Sequence, residues 1–166
     1  MSDLPMQFPI LMLRPPFHGG EKHEDEHEDV ECFTEAELFT TVDSWGMKRK
    51  AFVGSVVFDV AGKAWRISDM IDLGAEGTSW RWLLNKLLGR HQVRYELMEE
   101  PPMPFEAIRD RVCASIENNP DRWRDDEVIA GEDGPPRDEQ EMLEEKVEKA
   151  RQARDMAELI QTIEAF

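Results

Sequence analysis

Residues 51–67 read AFVGSVVFDVAGKAWRI, and we expect the rest of the chain to be organised around this segment. Across positions 52–60, both alternating sets of residues contain β-branched or aromatic side chains, which is typical of a strand near the middle of a sheet. Gly62 tolerates the positive φ that a short hairpin with a bulge requires, and residues 64–67 return with strand-like alternation. The sequence therefore predicts a central β-hairpin.

Other strand patterns flank this hairpin. The apolar run at 8–13 predicts a strand covered on both faces, and the alternation at 92–98 predicts a half-buried one. Residues 39–42 favour a further strand, with a short helix capped by Thr34 as the alternative. Residues 68–77 have the composition of a turn.

Helical spacing appears in four segments. Leucines recur at helical intervals in 78–89, before Gly89, and a second apolar face runs through 104–118. Capping boxes at Asp138 and Asp155 begin two C-terminal helices. Because no βαβ unit repeats, we predict one α+β domain over 1–166, with helices packed on an antiparallel or mixed sheet of three to five strands.

Composition limits the class of partner. The 166 residues are 40% apolar, enough for one core, and 36 acids against 20 bases give a net charge of −16. Such a charge argues against nucleic acid or an anionic membrane as a direct ligand, because both would repel it. The natural complement is a basic protein.

Cellular location is inferred from what the sequence lacks. The apolar run at 8–13 is far too short for a spanning helix, and Met1-Ser2-Asp3 has no basic segment typical of a signal peptide. Cys32 and Cys113 are isolated and predict two free thiols. We therefore expect a cytoplasmic protein.

The acidic residues are concentrated in two segments. Residues 21–31 hold seven acids and one lysine, and residues 125–145 hold ten acids and one arginine, so together they account for 15 of the 16 net negative charges. We interpret 19–31 as an acidic loop and 122–137 as an acidic linker. Solubility alone is one explanation, and a surface that steers a cationic partner is the other. The second predicts these partner-binding residues: Glu24, Asp25, Glu26, Glu28, Asp29, Asp125, Asp126, Glu127, Glu132 and Asp133.

One metal motif occurs inside the first acidic segment. Residues 23–27 read HEDEH and satisfy the H-E-x-x-H pattern, in which His23 and His27 would bind zinc while Glu24 activates a water. Zincin helices are packed inside the enzyme, whereas these histidines are surrounded by carboxylates. A solvated acidic loop is favoured over zinc catalysis and over adventitious metal binding that includes His18. We expect no metal and no cofactor.

Other reactive residues have structural interpretations. Asp59, Asp69 and Asp72 have no histidine nearby in sequence that would complete an acid–base pair. No local motif links Cys113 with His91 as nucleophile and base. The sequence therefore predicts no catalytic residues.

Two quoted segments and the charge carry a family resemblance. The chain resembles the immunity proteins encoded beside bacterial polymorphic or contact-dependent toxins. The resemblance lies in the hairpin VVFDVAGKAWRI at 56–67, the predicted Trp/Leu helix over 78–89 and the closing segment ARQARDMAELIQTI at 150–163. The resemblance implies a non-enzymatic protein that binds and neutralises a cognate toxin by occluding its active or binding surface. Two alternatives stay open: an acidic mimic of nucleic acid, as in phage-type inhibitors of DNA- or RNA-binding proteins, and a zinc-dependent hydrolase using the HEDEH segment.

Overall fold

A computed structural model describes residues 4–16, 28–73, 87–123 and 138–165. The chain divides into two compact units. The sheet unit comprises Met1–Arg14 and Glu31–Pro102, and the helical unit comprises Pro15–Val30 and Met103–Phe166. The predicted single domain over 1–166 stays a prediction.

Within the described residues, six strands form the sheet, in the order β2-β1-β4-β5-β6-β3. The α+β class is confirmed, and β1 with β4, β4 with β5, β5 with β6 and β6 with β3 are antiparallel pairs. The count exceeds the predicted three to five strands. The strands are β1 Ile10–Arg14, β2 Asp29–Phe33, β3 Thr41–Asp43, β4 Val56–Asp59, β5 Ala64–Asp72 and β6 Arg90–Glu100.

The unpredicted strand is β2, which begins inside the segment interpreted as an acidic loop. Only Val30 and Phe33 of its five residues are buried, so its sequence lacks the alternation that announces a half-buried strand. Its place next to β1 is set by tertiary pairing, which local composition does not encode.

The central hairpin is confirmed. β4 is the third of six strands, Val57 pairs with Trp65 of β5, and Gly62 in the turn has a φ of 77°. Two details differ from the prediction. Residues 52–54 form a turn and do not extend β4, and β5 continues through Ser68 to Asp72 where a turn was expected. A register shift beside Ser68 lets β5 pair with β6 along this polar stretch.

Both faces of the sheet unit's central strands carry buried side chains. Leu11, Phe58 and Ala64 are directly paired across β1, β4 and β5, so they share one face, and all three are buried. The other face carries a second buried cluster that includes Val57 and Trp65. Its remaining members are Met6, Ile10, Met12, Phe33, Phe39, Val42, Phe52, Ile67, Met70, Val93 and Tyr95.

Aromatic rings pack against one another in the buried cluster that contains Val57 and Trp65. The Phe39 ring centroid lies 4.5 Å from that of Tyr95 and 5.3 Å from that of Phe33. The Tyr95 hydroxyl donates to the Phe39 carbonyl at 2.7 Å, and burial raises the pKa of Tyr95, which keeps it a neutral donor. This bond fixes the chain before β3 against β6.

Two short helices flank β3. They are α1 Ala36–Phe39 and α2 Ser44–Arg49, so residues 36–43 hold both the helix and the strand that the sequence left as alternatives. Glu35, and not Thr34, occupies the N-cap of α1. The Asp43 carboxylate accepts from the Gly46 N–H at 2.6 Å and begins α2 directly at the end of β3.

The described part of the helical unit contains α3 Phe105–Asn118, α4 Pro120–Trp123, α5 Glu139–Gln152 and α6 Met156–Glu164. Both predicted caps are confirmed: Asp138 and Asp155 accept from backbone N–H groups at 3.1 and 2.9 Å. α5 packs against α3 and α6. The helix predicted over 78–89 lies outside the described residues except for its end, where Gly89 has a φ of 65°.

Candidate functional site

Of the ten predicted partner-binding residues, eight lie outside the described ranges and two lie within them. Glu28 receives a bidentate pair from Arg111 of α3, whose Nε donates to Oε2 at 2.8 Å while Nη2 contacts Oε1. The Asp29 carboxylate lies 3.4 Å from Nε of Arg122 in α4. Because an arginine of the helical unit lies beside each of these two carboxylates, their negative charge is largely balanced locally.

The two units differ strongly in charge. The residues of the sheet unit include 12 acids and 10 bases, a net charge of −2, and those of the helical unit include 24 acids and 10 bases, a net charge of −14. Part of this excess stabilises α5, since Glu139 and Glu141 are in its first turn and Lys149 and Arg151 are in its last.

A hydrogen-bonded cluster that the sequence did not reveal lies in the sheet unit. His91 Nδ1 is 2.9 Å from Oδ2 of Asp72, and His91 Nε2 is 3.0 Å from Oγ of Ser44. We call these three residues the Ser44 cluster. Serine, imidazole and carboxylate occur here in the order and at the spacing of a nucleophile, its base and the group that orients the base.

The sheet register brings the three side chains together. Asp72 ends β5, His91 is near the start of β6, and Ser44 immediately follows β3. Since β6 runs antiparallel to both of its neighbours, the ends of β3 and β5 lie beside the start of β6 at one end of the sheet. Asp72 is paired with Val93, so His91 is its diagonal neighbour on the same face.

Gly89 holds the serine in place. Its φ of 65° is a left-handed conformation that side-chain-bearing residues rarely adopt, and its carbonyl accepts from both the N–H and the Oγ of Ser44, at 2.9 and 3.0 Å. The predicted helix end at Gly89 therefore also positions a side chain. The imidazole and carboxylate keep access to solvent, with side chains 32% and 37% exposed.

Apolar side chains are exposed beside this cluster along the chain. Trp45 follows Ser44 and is 55% exposed, while Leu87 and Leu88 precede Gly89 and are 75% and 61% exposed. The Arg49 guanidinium lies 4.8 Å from the centroid of the Trp45 ring. The residues of the cluster are thus neighbours in sequence of exposed apolar residues.

The other candidate acids have structural roles. Asp59 is buried, and its Oδ1 accepts from the backbone N–H groups of Ala61 and Lys63 at 2.9 and 3.0 Å, which closes the hairpin turn. Asp69 binds the Lys50 ammonium, and this hydrogen bond lowers the pKa of the Asp69 carboxyl. Both carboxylates hold backbone elements in place.

The two cysteines are free thiols in this structure. Cys113 is buried on α3, and burial raises the pKa of its thiol. Its Sγ lies 3.9 Å from the carbonyl oxygen of Val147 in α5. A protonated, buried thiol serves packing between these two helices better than it serves nucleophilic attack.

His18, His23, Glu24 and His27 all lie outside the described residues. Among the residues that are described, no three histidine, cysteine or carboxylate side chains are grouped to hold a metal. The zinc alternative therefore stays open, and the zinc content of the purified protein tests it.

We predict that protein purified without chelators contains no stoichiometric zinc. The high density of acidic residues in the sequence around His23 and His27 favours hydration of the segment over its packing around a metal. Elemental analysis by mass spectrometry measures the content. One tightly held zinc per chain, lost together with a hydrolytic activity in Glu24→Gln, would establish the hydrolase and overturn the binding interpretation.

No family model matches this chain, and neither a curated protein nor a solved structure is similar to it. None of the helices in the described ranges combines the length and apolar composition that a bilayer crossing requires. Function must therefore be argued from charge and geometry.

Proposed function

We propose that this protein is a cytoplasmic immunity-type protein that binds a basic cognate toxin and neutralises it by covering the toxin's active or binding surface. The observation that carries the proposal is the net charge of −14 in the helical unit against −2 in the sheet unit. Acids needed only for solubility would serve equally well if scattered. Neutralisation by occlusion needs no catalysis by the inhibitor.

The physical advantage of such segregated charge is rapid capture. A concentrated negative field orients an approaching cationic protein and raises the association rate above that of uncharged surfaces, up to 10⁸–10⁹ M⁻¹s⁻¹ at low salt. An inhibitor of a toxic protein gains most from rate, because damage accumulates before capture. The Glu28–Arg111 and Asp29–Arg122 pairs contribute little to this field, since each carboxylate has a cation beside it.

The test is rescue from the product of the adjacent gene. We expect cells that express this neighbouring protein alone to stop growing, and cells that also express the present chain to grow. The two purified proteins should then elute as one complex of defined stoichiometry. An adjacent product whose toxicity is not relieved would contradict the proposal, and release of bound nucleic acid from a host protein would favour the mimic instead.

A further inference from the structure

Beyond toxin binding, the Ser44 cluster supports a second activity. We propose that Ser44, His91 and Asp72 form an acyl-transfer site that hydrolyses small esters with an apolar acyl group or an aromatic alcohol. The proposal rests on side-chain geometry in the sheet unit and is independent of the acidic segments. If it is correct, the expectation of a non-enzymatic protein is wrong, while toxin binding keeps its own test.

The hydrogen bonds assign each residue a role. The Asp72 carboxylate can only accept, so it holds the proton of the neutral imidazole on Nδ1 at 2.9 Å. The lone pair of Nε2 then faces the Ser44 hydroxyl at 3.0 Å, as a general base requires. Asp72 is a positioning residue, because it acts through the ring.

The serine hydroxyl has two acceptors within hydrogen-bond distance, so it can turn from one to the other during the reaction. Its Oγ lies 3.0 Å from both His91 Nε2 and the Gly89 carbonyl. The Ser44 backbone N–H also donates to that carbonyl, at 2.9 Å. The Gly89 oxygen therefore keeps a partner when the hydroxyl turns towards the imidazole, so reaction leaves no polar group unsatisfied.

The reaction balances with water as the second substrate. Ser44 Oγ forms a bond to the ester carbonyl carbon while its proton passes to His91 Nε2; the bond to the alcohol breaks, and the alcohol leaves with that proton. Water then attacks the acyl-serine and gives its proton to Nε2. The acid departs, the proton returns to Oγ, and the starting hydroxyl is restored.

The surroundings indicate the substrate class. Trp45 follows Ser44, Leu87 and Leu88 precede Gly89, and each of the three residues is more than half exposed. Burying this surface against an apolar acyl or aromatic group would favour binding, because it removes apolar area from water. Esters of short fatty acids, such as p-nitrophenyl butyrate, fit this description.

A purely structural cluster would have the same hydrogen bonds but an unreactive serine. Comparing Ser44 with a second serine distinguishes a structural cluster from a reactive one. The Oγ of Ser68 also donates to a backbone carbonyl at 3.0 Å, that of Glu96, and no histidine is among the hydrogen-bond partners found for it in the described ranges. It therefore serves as an internal control. The comparison takes place within one folded molecule and needs no variant.

The experiment uses the full chain, a fluorophosphonate probe and peptide mass spectrometry. We expect Ser44 to be labelled at least about 100-fold faster than Ser68, and His91→Gln to slow the labelling of Ser44 about 100-fold. Asp72→Asn should slow it about tenfold or more, with partial rescue in Asp72→Glu. Hydrolysis of p-nitrophenyl butyrate should fall in parallel.

Melting temperatures of the variants identify losses that come only from unfolding. Equal labelling of Ser44 and Ser68 in the unmodified protein would overturn the proposal. So would an unchanged Ser44 labelling rate in folded His91→Gln, because the serine would then react without its base. Absence of ester hydrolysis above the rate of the Ser44→Ala variant would overturn it as well.

Discussion

Replacing Phe58 with alanine should lower the free energy of unfolding by about 3–5 kcal/mol. The side chain is 0% exposed, on a strand hydrogen-bonded on both sides, with Leu11 and Ala64 as its paired neighbours. Truncation removes most of the ring's buried apolar surface and leaves a cavity that paired strands cannot collapse to fill. This is the largest stability effect that we expect from a single substitution in the hairpin.

Urea denaturation measures the effect directly. Leu87→Ala is the matched control, because Leu87 is 75% exposed and its truncation should change the free energy of unfolding by no more than about 0.5 kcal/mol. A loss below about 1 kcal/mol for Phe58→Ala would show that the hairpin is peripheral to the folded core.

Local chemistry explains why much of the fold could be predicted. Gly62 supplies a positive φ whatever surrounds the turn, and Asp138 and Asp155 cap helices through N–H groups three residues away. Such signals are complete within a few residues of sequence. For this reason the sequence was sufficient to predict the hairpin, the two C-terminal helices and the α+β class.

The extension of β5 could not be predicted from the sequence. Ser68, Asp69 and Asp72 are polar and have the composition of a turn, but pairing with β6 continues across them. The Ser68 hydroxyl donates to the Glu96 carbonyl, and Asp69 binds Lys50. These partners come from other elements, so the strand depends on tertiary context that local propensity does not contain.

The Ser44 cluster shows the same limit for function. Ser44 lies 47 residues from His91, and His91 lies 19 residues from Asp72, so no local motif joins them. Only the register of β3, β5 and β6 makes them neighbours. The prediction of no catalytic residues rested on short-range patterns and stays a prediction, whereas the triad that we propose is recognised by its geometry.

The strongest functional prediction concerns the second acidic segment. Neutralising Asp125, Asp126, Glu127, Glu132 and Asp133 together as amides should slow association with the basic partner about tenfold or more at low salt. These residues lie outside the described ranges, and the prediction rests on their density in the sequence. Thermal stability should stay nearly unchanged. Neutralising Glu24, Asp25, Glu26, Glu28 and Asp29 should act less strongly, since arginines already pair with two of them.

A control variant separates local charge from total charge. Glu35, Glu96 and Glu99 are exposed carboxylates of the sheet unit, and their replacement by glutamine changes net charge without touching either acidic segment. We expect a smaller loss of association rate per neutralised charge than in the 125–133 variant. Equal losses per charge would indicate that only the total charge matters.

Stopped-flow association at several ionic strengths is the most direct test of the central claim that concentrated acids capture a cationic partner. At 0.1 M salt the Debye length is about 10 Å, so steering should weaken steeply as salt rises above this level. We expect the association rate to fall steeply with salt for the unmodified protein and less steeply for the 125–133 variant. Unchanged rates and salt slopes in both acidic-segment variants would contradict the claim, and the acidic runs would then serve solubility alone.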